Sequence, residues 1–446
     1  MENTYNTRLI AYELLIRITI KKAYPDIVLN QYLSKNKNII SKDIKLITEL
    51  VYGTIRWKKK LSYVLNLFIK HKLKSSKIEL VLLMGIYQIL YLDSVPDHAS
   101  INETVKVAKA KFDYKIKNLV NAVLREVIRN KELIEYPDKS DISEYLSINY
   151  SYPKWLIIKW TESYGEELTE KICAGLNNHG LPIIRVNNNL ISTDKFAKLI
   201  KDHNPQNTFF SDHGLYVENL NVLINSDLYN NGYFSIQDES SQLVSIILDP
   251  KPGETIFDSC SAPGTKSNHI AEIMKNRGKI ISCDINKERL NLVLQDSKRL
   301  KNSIIFTRCS DAKDIVFDDN IQFDRILVDA PCSGLGTIKN NPDIKWNKNP
   351  DGIVQLSSIQ LEILNNVSRY LKTGGTLVYS VCTLMREENE HVCELFLKQN
   401  TKFRIDSTVS NKYEKINRLL DRNGYFSSLN ELDKMDGFFI AKFQKI

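Results

Sequence analysis

Glu254-Thr-Ile-Phe-Asp-Ser-Cys-Ser-Ala-Pro-Gly-Thr-Lys266 runs from an apolar segment of strand length, through a loop of small residues, into Ser267–Met274, where apolar residues take helical spacing. The same alternation continues outward. Strand-length apolar runs at Lys279–Asp284, Ile304–Thr307, Arg325–Val328 and Thr376–Ser380 are interleaved with helical segments, among them Lys287–Leu300 and Ile353–Leu371. Continuous apolar strands alternating with helices predict a doubly wound parallel sheet. Gly437–Phe443 predicts one more strand, antiparallel to the others. The α/β character begins at about Gln237, so a domain is expected over 236–446.

Before it the pattern differs. Apolar residues recur at helical spacing in Leu9, Tyr12, Leu15 and Ile16, and again in Ile44, Ile47, Leu50 and Val51. Ile78–Tyr91 is apolar nearly all round and predicts a buried central helix. Further helices are expected at Ile101–Lys111, capped by Asp97 or Ser100, and at Asn118–Val127. Residues 1–136 therefore predict an all-α domain of six or seven helices. Tyr136–Ser143 reads as a linker. Residues 144–235 mix helices (Pro153–Tyr164, Glu166–Leu176) with short strands such as Ile183–Val186, a small α+β piece.

The chain's net charge of +8 is uneven, because residues 1–136 hold 24 Lys and Arg against 13 Asp and Glu. A basic module on a near-neutral body predicts contact with a polyanion; a solvated basic surface is the alternative. The longest apolar stretch, Val81 to Leu92, is broken by Gln88 and falls short of the roughly 20 residues a bilayer needs. The start carries Glu2 and no basic-then-apolar signal, so a cytoplasmic location is expected. Seven cysteines, an odd count with no Cys-x-x-Cys pair, predict free thiols and no metal.

Ligands of such sheets bind beyond the carboxyl ends of the strands. Asp258, Asp284 and Asp329 close strands there, and Asp311 follows another. Asp284 stands 20 residues after Gly264, the spacing at which a carboxylate grips a ribose diol. The loop has one glycine, too few for a dinucleotide fingerprint, and lacks the Gly-Lys-Ser/Thr core of a P-loop. A ring of carboxylates repels phosphates and suits a cationic sulfonium, S-adenosyl-L-methionine; simple helix capping is the competing reading of these aspartates.

Two cysteines lie at the same end. Cys332 sits in Asp329-Ala-Pro-Cys-Ser-Gly334, and Cys382 in Tyr379-Ser-Val-Cys, with Glu387-Glu-Asn389 close behind. Cys283 and Cys309 read as buried small hydrophobes. Methyltransferases acting on exocyclic amines carry Asn/Asp-Pro-Pro-aromatic where this chain has Asp-Ala-Pro-Cys. Carbon 5 of cytosine is a poor nucleophile, and a thiolate adding at carbon 6 makes it enamine-like. Asp329 is placed to protonate the ring nitrogen as the thiolate adds.

These motifs, with Asn341-Pro-Asp-Ile-Lys-Trp346 and Gln237-Asp-Glu-Ser-Ser-Gln242, closely resemble the RNA cytosine-5 methyltransferases of the NOL/NOP/Sun group. Val51-Tyr-Gly-Thr-Ile-Arg56 and Val120-Asn-Ala-Val-Leu-Arg125 resemble a NusB-type RNA-binding domain. The pairing is similar to bacterial methyltransferases of the small-subunit ribosomal RNA. The resemblance implies an all-α NusB-like domain, a small α+β RRM-like subdomain and an α/β Rossmann-like class I methyltransferase domain. It implies that Cys260, Ser261, Ala262, Pro263, Gly264, Thr265, Lys266, Asp284, Asp311 and Asp329 bind S-adenosyl-L-methionine. It makes Cys382 the nucleophile and Cys332 an aid to release, a choice that spacing alone leaves open. Lys266 and Lys345 are either contacts to substrate or cofactor, or plain surface charge. The implied partner is 16S ribosomal RNA, naked or in an early small-subunit particle, with no membrane, no metal and a monomeric chain.

The sequence departs from the family at two points. Thr265 stands where a second glycine is usual, and a β-branched residue disfavours positive φ. Val381 stands where threonine usually precedes the nucleophile. Two other functions compete with this reading: a catalytically silent RNA-binding protein, which has no need of the cysteine pair, and an amine-directed RNA methyltransferase, which would survive loss of Cys382.

Overall fold

The structure is a computed structural model describing residues 6–36, 38–71, 73, 75–178, 180–318, 320–429, 432 and 434–446. Glu2, on which the reading of the N-terminus rested, lies outside them. The chain divides into two compact units, Met1–Asn177 with Asn340–Asn347, and Asn178–Lys339 with Lys348–Ile446.

The first unit is helical, with seven α-helices before Lys131 among the described residues. Ser76–Tyr91 is the expected central helix and buries Leu80 through Ile89 without a break. A Cβ on Gly85 would lie 2.8 Å from the Leu124 methyls, so glycine lets the helix Tyr114–Asn130 approach closely. The helix after Pro96 starts at Asp97 itself, with Pro96 in the cap position and no side-chain cap. Asp97 instead pairs with Lys131 at 3.2 Å, and Ser100 is buried inside the helix. Asp141, in the expected linker, caps Ile142–Asn149 by accepting from the Glu144 amide. That helix, Lys154–Tyr164 and Glu166–Asn177 belong to the first unit, so residues 144–235 are shared between the two units. Tyr152 and Trp160 meet edge-to-face there, both fully buried.

Residues 340–347 leave the α/β chain and complete this helical unit. Trp346 Nε1 donates to the Ile55 carbonyl at 2.7 Å. Lys345 is fully buried, its Nζ 4.0 Å from the Tyr152 ring centre and 3.5 Å from Asn177 Oδ1. Burial, and then the Arg56 charge, drive its pKa well below the ordinary lysine value. Lys345 is therefore not a plain surface charge. Lys60 lies over the Tyr136 ring at 4.3 Å, and Lys58 over Trp346 at 5.6 Å.

The second unit holds two sheets. The smaller contains β1 (Ile183–Val186), β2 (Gln206–Asn207), β3 (Gly214–Tyr216) and β4 (Phe234–Ile236), antiparallel in the order β2-β3-β1-β4. The larger contains β5 (Thr255–Asp258), β6 (Lys279–Asp284), β7 (Ile305–Cys309), β8 (Phe323–Asp329), β9 (Leu371–Val381), β10 (Phe403–Ile405), β11 (Phe426–Ser427) and β12 (Phe439–Lys445). Its order is β10-β12-β9-β8-β5-β6-β7, with β11 beside β12. Strands β5 to β9 pair in parallel, and β12 is antiparallel to β9, as its sequence suggested. Chain order reverses between β5 and β8, which opens a crevice at their carboxyl ends.

Candidate active site

Loop 259–264 leaves β5 and turns into the helix Thr265–Ile273. Its backbone is tied down: the Ser259 amide donates to the Leu327 carbonyl, and the Ser261 amide to that of Cys283 at 2.7 Å. The Ala262–Pro263 peptide is cis, and Gly264 takes the positive φ of 106°. Cβ-free Gly264 sits against Val293, where an added Cβ would stand 3.0 Å from its Cα. Thr265 is the first residue of the helix, so the usual second glycine has no positive φ to serve here.

Beyond this loop lies a cavity of about 440 Å3, within the range of small-ligand sites. Cys260, Ala262, Asp284, Asp311 and Asp329 line it, as their strand-end positions suggested. Asp284 accepts from the Ala262 amide at 3.2 Å and the Asn286 amide at 2.9 Å, which fixes its carboxylate at the rim. Arg289 binds the Ala262 carbonyl from the other side. Pro263 and Thr265 face a separate hollow beside Tyr229 and Arg299. Asp258 is fully buried under the loop and accepts from the Ser267 hydroxyl at 2.5 Å. Burial pushes its carboxyl up to about 7.

Sequence reasoning missed the apolar wall of the cavity, Ile285, Ile359 and Ile363. Ile285 directly follows Asp284 and is 68 % exposed, an apolar residue where a polar turn residue is expected; that is the signal that could have found it. Three carboxylates, an apolar wall and a fixed diol acceptor fit S-adenosylmethionine better than a phosphorylated cofactor.

The two cysteines meet. Cys332 and Cys382 sulfurs are 3.3 Å apart, a thiol contact rather than a disulfide. The Cys332 thiol's hydrogen bond, followed by the Lys266 charge among the favourable causes, holds the Cys382 thiol below the usual value despite burial. The Cys332 thiol is pushed well up, first by that same bond and then by burial. Asp329 accepts from Lys266 Nζ at 2.6 Å and from the Ser380 hydroxyl at 2.8 Å. Burial opposes the Lys266 ammonium, but Asp329 outweighs it and the pKa of Lys266 rises.

Glu388 staples the two cysteine loops together. Fully buried, it accepts from the Ser333 amide at 2.8 Å, the Ser333 hydroxyl at 2.5 Å, Gln360 Nε2 at 3.0 Å and the Thr383 hydroxyl at 3.1 Å. The Glu-Glu-Asn motif marked this residue, but its partners Ser333 and Gln360 are 55 and 28 residues away in sequence. Gly336 donates to the Cys382 carbonyl at 3.0 Å, and a Cβ on it would collide with Gly437. Val381 is buried in the sheet opposite Phe439. Cys283 is buried as expected, and burial pushes its thiol up to about 12. Cys309 is exposed, contrary to the expectation of burial, because it ends the edge strand β7.

The parallel sheet, its crossover crevice and the acidic, apolar-walled cavity define a Rossmann-like, S-adenosylmethionine-dependent methyltransferase. Residues 245–444 match the family described as 16S rRNA methyltransferase RsmB/F, residues 5–129 the NusB family, and residues 152–221 the RsmF/B-like ferredoxin-like domain. The chain is 38% identical over 451 residues to a Bacillus subtilis (strain 168) protein named "Probable ribosomal RNA small subunit methyltransferase B", covering 99% of each. The chain belongs to the 16S rRNA methyltransferase RsmB/F family. Its fold matches the PH0851 protein with a TM-score of 0.81 at 24% identity, over 99% of each chain. NSun6 from Pyrococcus horikoshii, solved with the S-adenosylmethionine analogue SFG, shares the fold at TM-score 0.57 and 23% identity, over 66% of this chain and 99% of that one. Among the described residues no helix is long and apolar enough to cross a membrane.

Proposed function

We propose that this chain methylates carbon 5 of a cytosine in 16S ribosomal RNA through a covalent bond between Cys382 and carbon 6. The observation that carries the proposal is the thiol pair, 3.3 Å apart, beside an ion pair whose carboxylate lines the cofactor cavity. Asp284 would hold the ribose diol and Ile285 the adenine face, with Cys260, Ala262, Asp311 and Asp329 completing the site. S-adenosylmethionine, when bound, supplies an activated methyl group to a nucleophilic carbon 5.

Cys382 is the thiolate of the pair, because both the Cys332 donor and the Lys266 ammonium favour its anion. It bonds to carbon 6, and the ring's π electrons shift toward nitrogen 3. The Lys266–Asp329 pair holds the proton that this nitrogen takes up. After methyl transfer, the carbon 5 proton passes to solvent water and the Cys382 sulfur leaves as thiolate, which restores the ring double bond, and nitrogen 3 returns its proton. Cys332, in contact with the leaving sulfur, assists that release. Glu388 keeps the two loops in register. Residues 1–136, Lys58, Lys59 and Lys60 among them, supply phosphate contacts and salt-sensitive affinity.

The test is trapping. Cys332→Ala, incubated with 16S RNA and cofactor, is expected to accumulate a protein–RNA adduct that resists denaturation. The adduct disappears in the Cys332→Ala/Cys382→Ala double variant. Methyl transfer that survives Cys382→Ala overturns the covalent reading and favours an amine acceptor.

A further inference from the structure

The turn between β2 and β3 carries two adjacent phenylalanines with opposite fates. Phe210 is buried, 2 % exposed, and Phe209 is 40 % exposed. Their rings meet edge to face at 4.8 Å and 83°, so the buried ring props the outer one. The turn is rigid. Buried Glu239 accepts from the amides of Phe210 at 2.5 Å and Ser211 at 2.8 Å. The Ser211 hydroxyl donates to Gln242 at 2.6 Å, and the Thr208 hydroxyl to the Ser211 carbonyl at 2.8 Å. Few degrees of freedom remain for Phe209 to lose on binding.

Three cations lie over the exposed ring. Lys415 Nζ and Arg418 Cζ are each 5.3 Å from its centre, and Lys434 Nζ is 5.9 Å away. Two come from the segment Asn411–Leu419 and the third from a separate stretch of chain. Neither Lys415 nor Arg418 forms an ion pair with a carboxylate among the described residues. Like charges gathered at one ring repel one another, and an anion placed there relieves that repulsion. Beside the ring, Asp194, Asp212, Asn207 and Lys415 help to line a polar hollow of about 360 Å3. Its two carboxylates keep a phosphate out of the hollow and favour the donor groups of a base or ribose.

We propose that Phe209, with Lys415, Arg418 and Lys434 over its ring, is a stacking platform for an unpaired base of the RNA substrate, which takes the cations' place on the ring as they move onto the flanking phosphates. An aromatic face that gathers cations is the combination that single-stranded nucleic acid uses, because every base has a π face and every link a charge. The inference rests on the reading of this chain as an RNA methyltransferase.

The test measures binding of the full-length chain to a single-stranded RNA oligonucleotide and to protein-free 16S RNA by fluorescence anisotropy, at several salt concentrations. Phe209→Ala is expected to weaken binding by about 5- to 150-fold, the effect of losing one base–aromatic stack. Phe209→Trp restores it. Lys415→Ser with Arg418→Ser lowers the salt slope by about 1.4, two single-strand phosphates' worth. Affinity for S-adenosylmethionine is unchanged in all of them. Equal RNA affinity of Phe209→Ala and the wild type overturns the platform, and adduct trapping by Cys332→Ala in the same RNA then leaves the methyltransferase reading standing. Loss of cofactor and RNA binding together in Phe209→Ala also overturns it, because it makes Phe209 a folding residue. A wild-type chain that binds neither RNA, but binds an acidic peptide at the same ring, sinks both readings.

Discussion

Replacing Glu388 by alanine tests whether the thiol pair depends on a buried carboxylate that touches neither sulfur. The substitution removes the acceptor of four hydrogen bonds at 2.5–3.1 Å. The hydroxyls of Ser333 and Thr383, 2.8 Å apart, can satisfy each other. The Ser333 amide cannot, and a buried donor left unpaired costs about 1–3 kcal/mol; Gln360 Nε2 keeps its bond to the Pro331 carbonyl at 2.9 Å. The loops carrying Cys332 and Cys382 are thus loosened by about 1–3 kcal/mol of lost restraint. A displacement of about 1 Å in a catalytic group costs roughly 100-fold in rate. Single-turnover methyl transfer from labelled S-adenosylmethionine is therefore expected to fall about 100-fold in Glu388→Ala. Glu388→Gln keeps an oxygen toward Ser333 and Gln360 and loses mainly charge assistance, about 1 kcal/mol, so its rate falls only about fivefold. Cofactor affinity stays at the wild-type level in both, since Glu388 does not line the cavity. Wild-type turnover in Glu388→Ala, or a loss of cofactor affinity that parallels the loss of rate, would refute the stapling role.

Two further outcomes follow from buried charge. Lys266→Met removes a cation that lowers the Cys382 pKa and leaves Asp329 to raise it, so the thiolate forms at higher pH. The acid limb of the single-turnover pH–rate profile is expected to move to higher pH, and Lys266→Arg should return it; an unmoved limb refutes the assignment. Arg185, fully buried, pairs with Glu272 at 2.7 Å and donates to the Thr265 carbonyl at 3.0 Å, tying β1 to the cofactor helix. Arg185→Met strands a buried carboxylate and is expected to cost about 3–5 kcal/mol in urea unfolding, with much of it recovered in Arg185→Met/Glu272→Leu. A loss below about 1 kcal/mol argues against the pair as a structural tie.

Strands β5, β6 and β8 were legible because they run through the middle of the large sheet and read as apolar runs; β6 matches its expected bounds residue for residue. The short strands β10 and β11 were not read, and the edge strand β7 exposes Phe306 and Cys309. The loop after β5 and the aspartates at strand ends were legible because the chain must turn there, and only small or polar residues turn. Helix starts were less so: Pro96 fixes the backbone at the cap position by itself, and the two side chains that looked like caps are used elsewhere.

Local periodicity fixes which segments are strands, which are helices, and which residues stand at the ends where ligands bind. Tertiary structure alone decided that Lys266 reaches Asp329 across 63 positions, that Glu388 grips Ser333 across 55, that Lys345 is sealed under Tyr152, and that Cys309 faces solvent. The physical reason is range. A spacing of 2 or 3.6 residues records which face of an element is apolar, whereas the charge state of a thiol depends on groups brought within a few ångströms by the packing of distant strands.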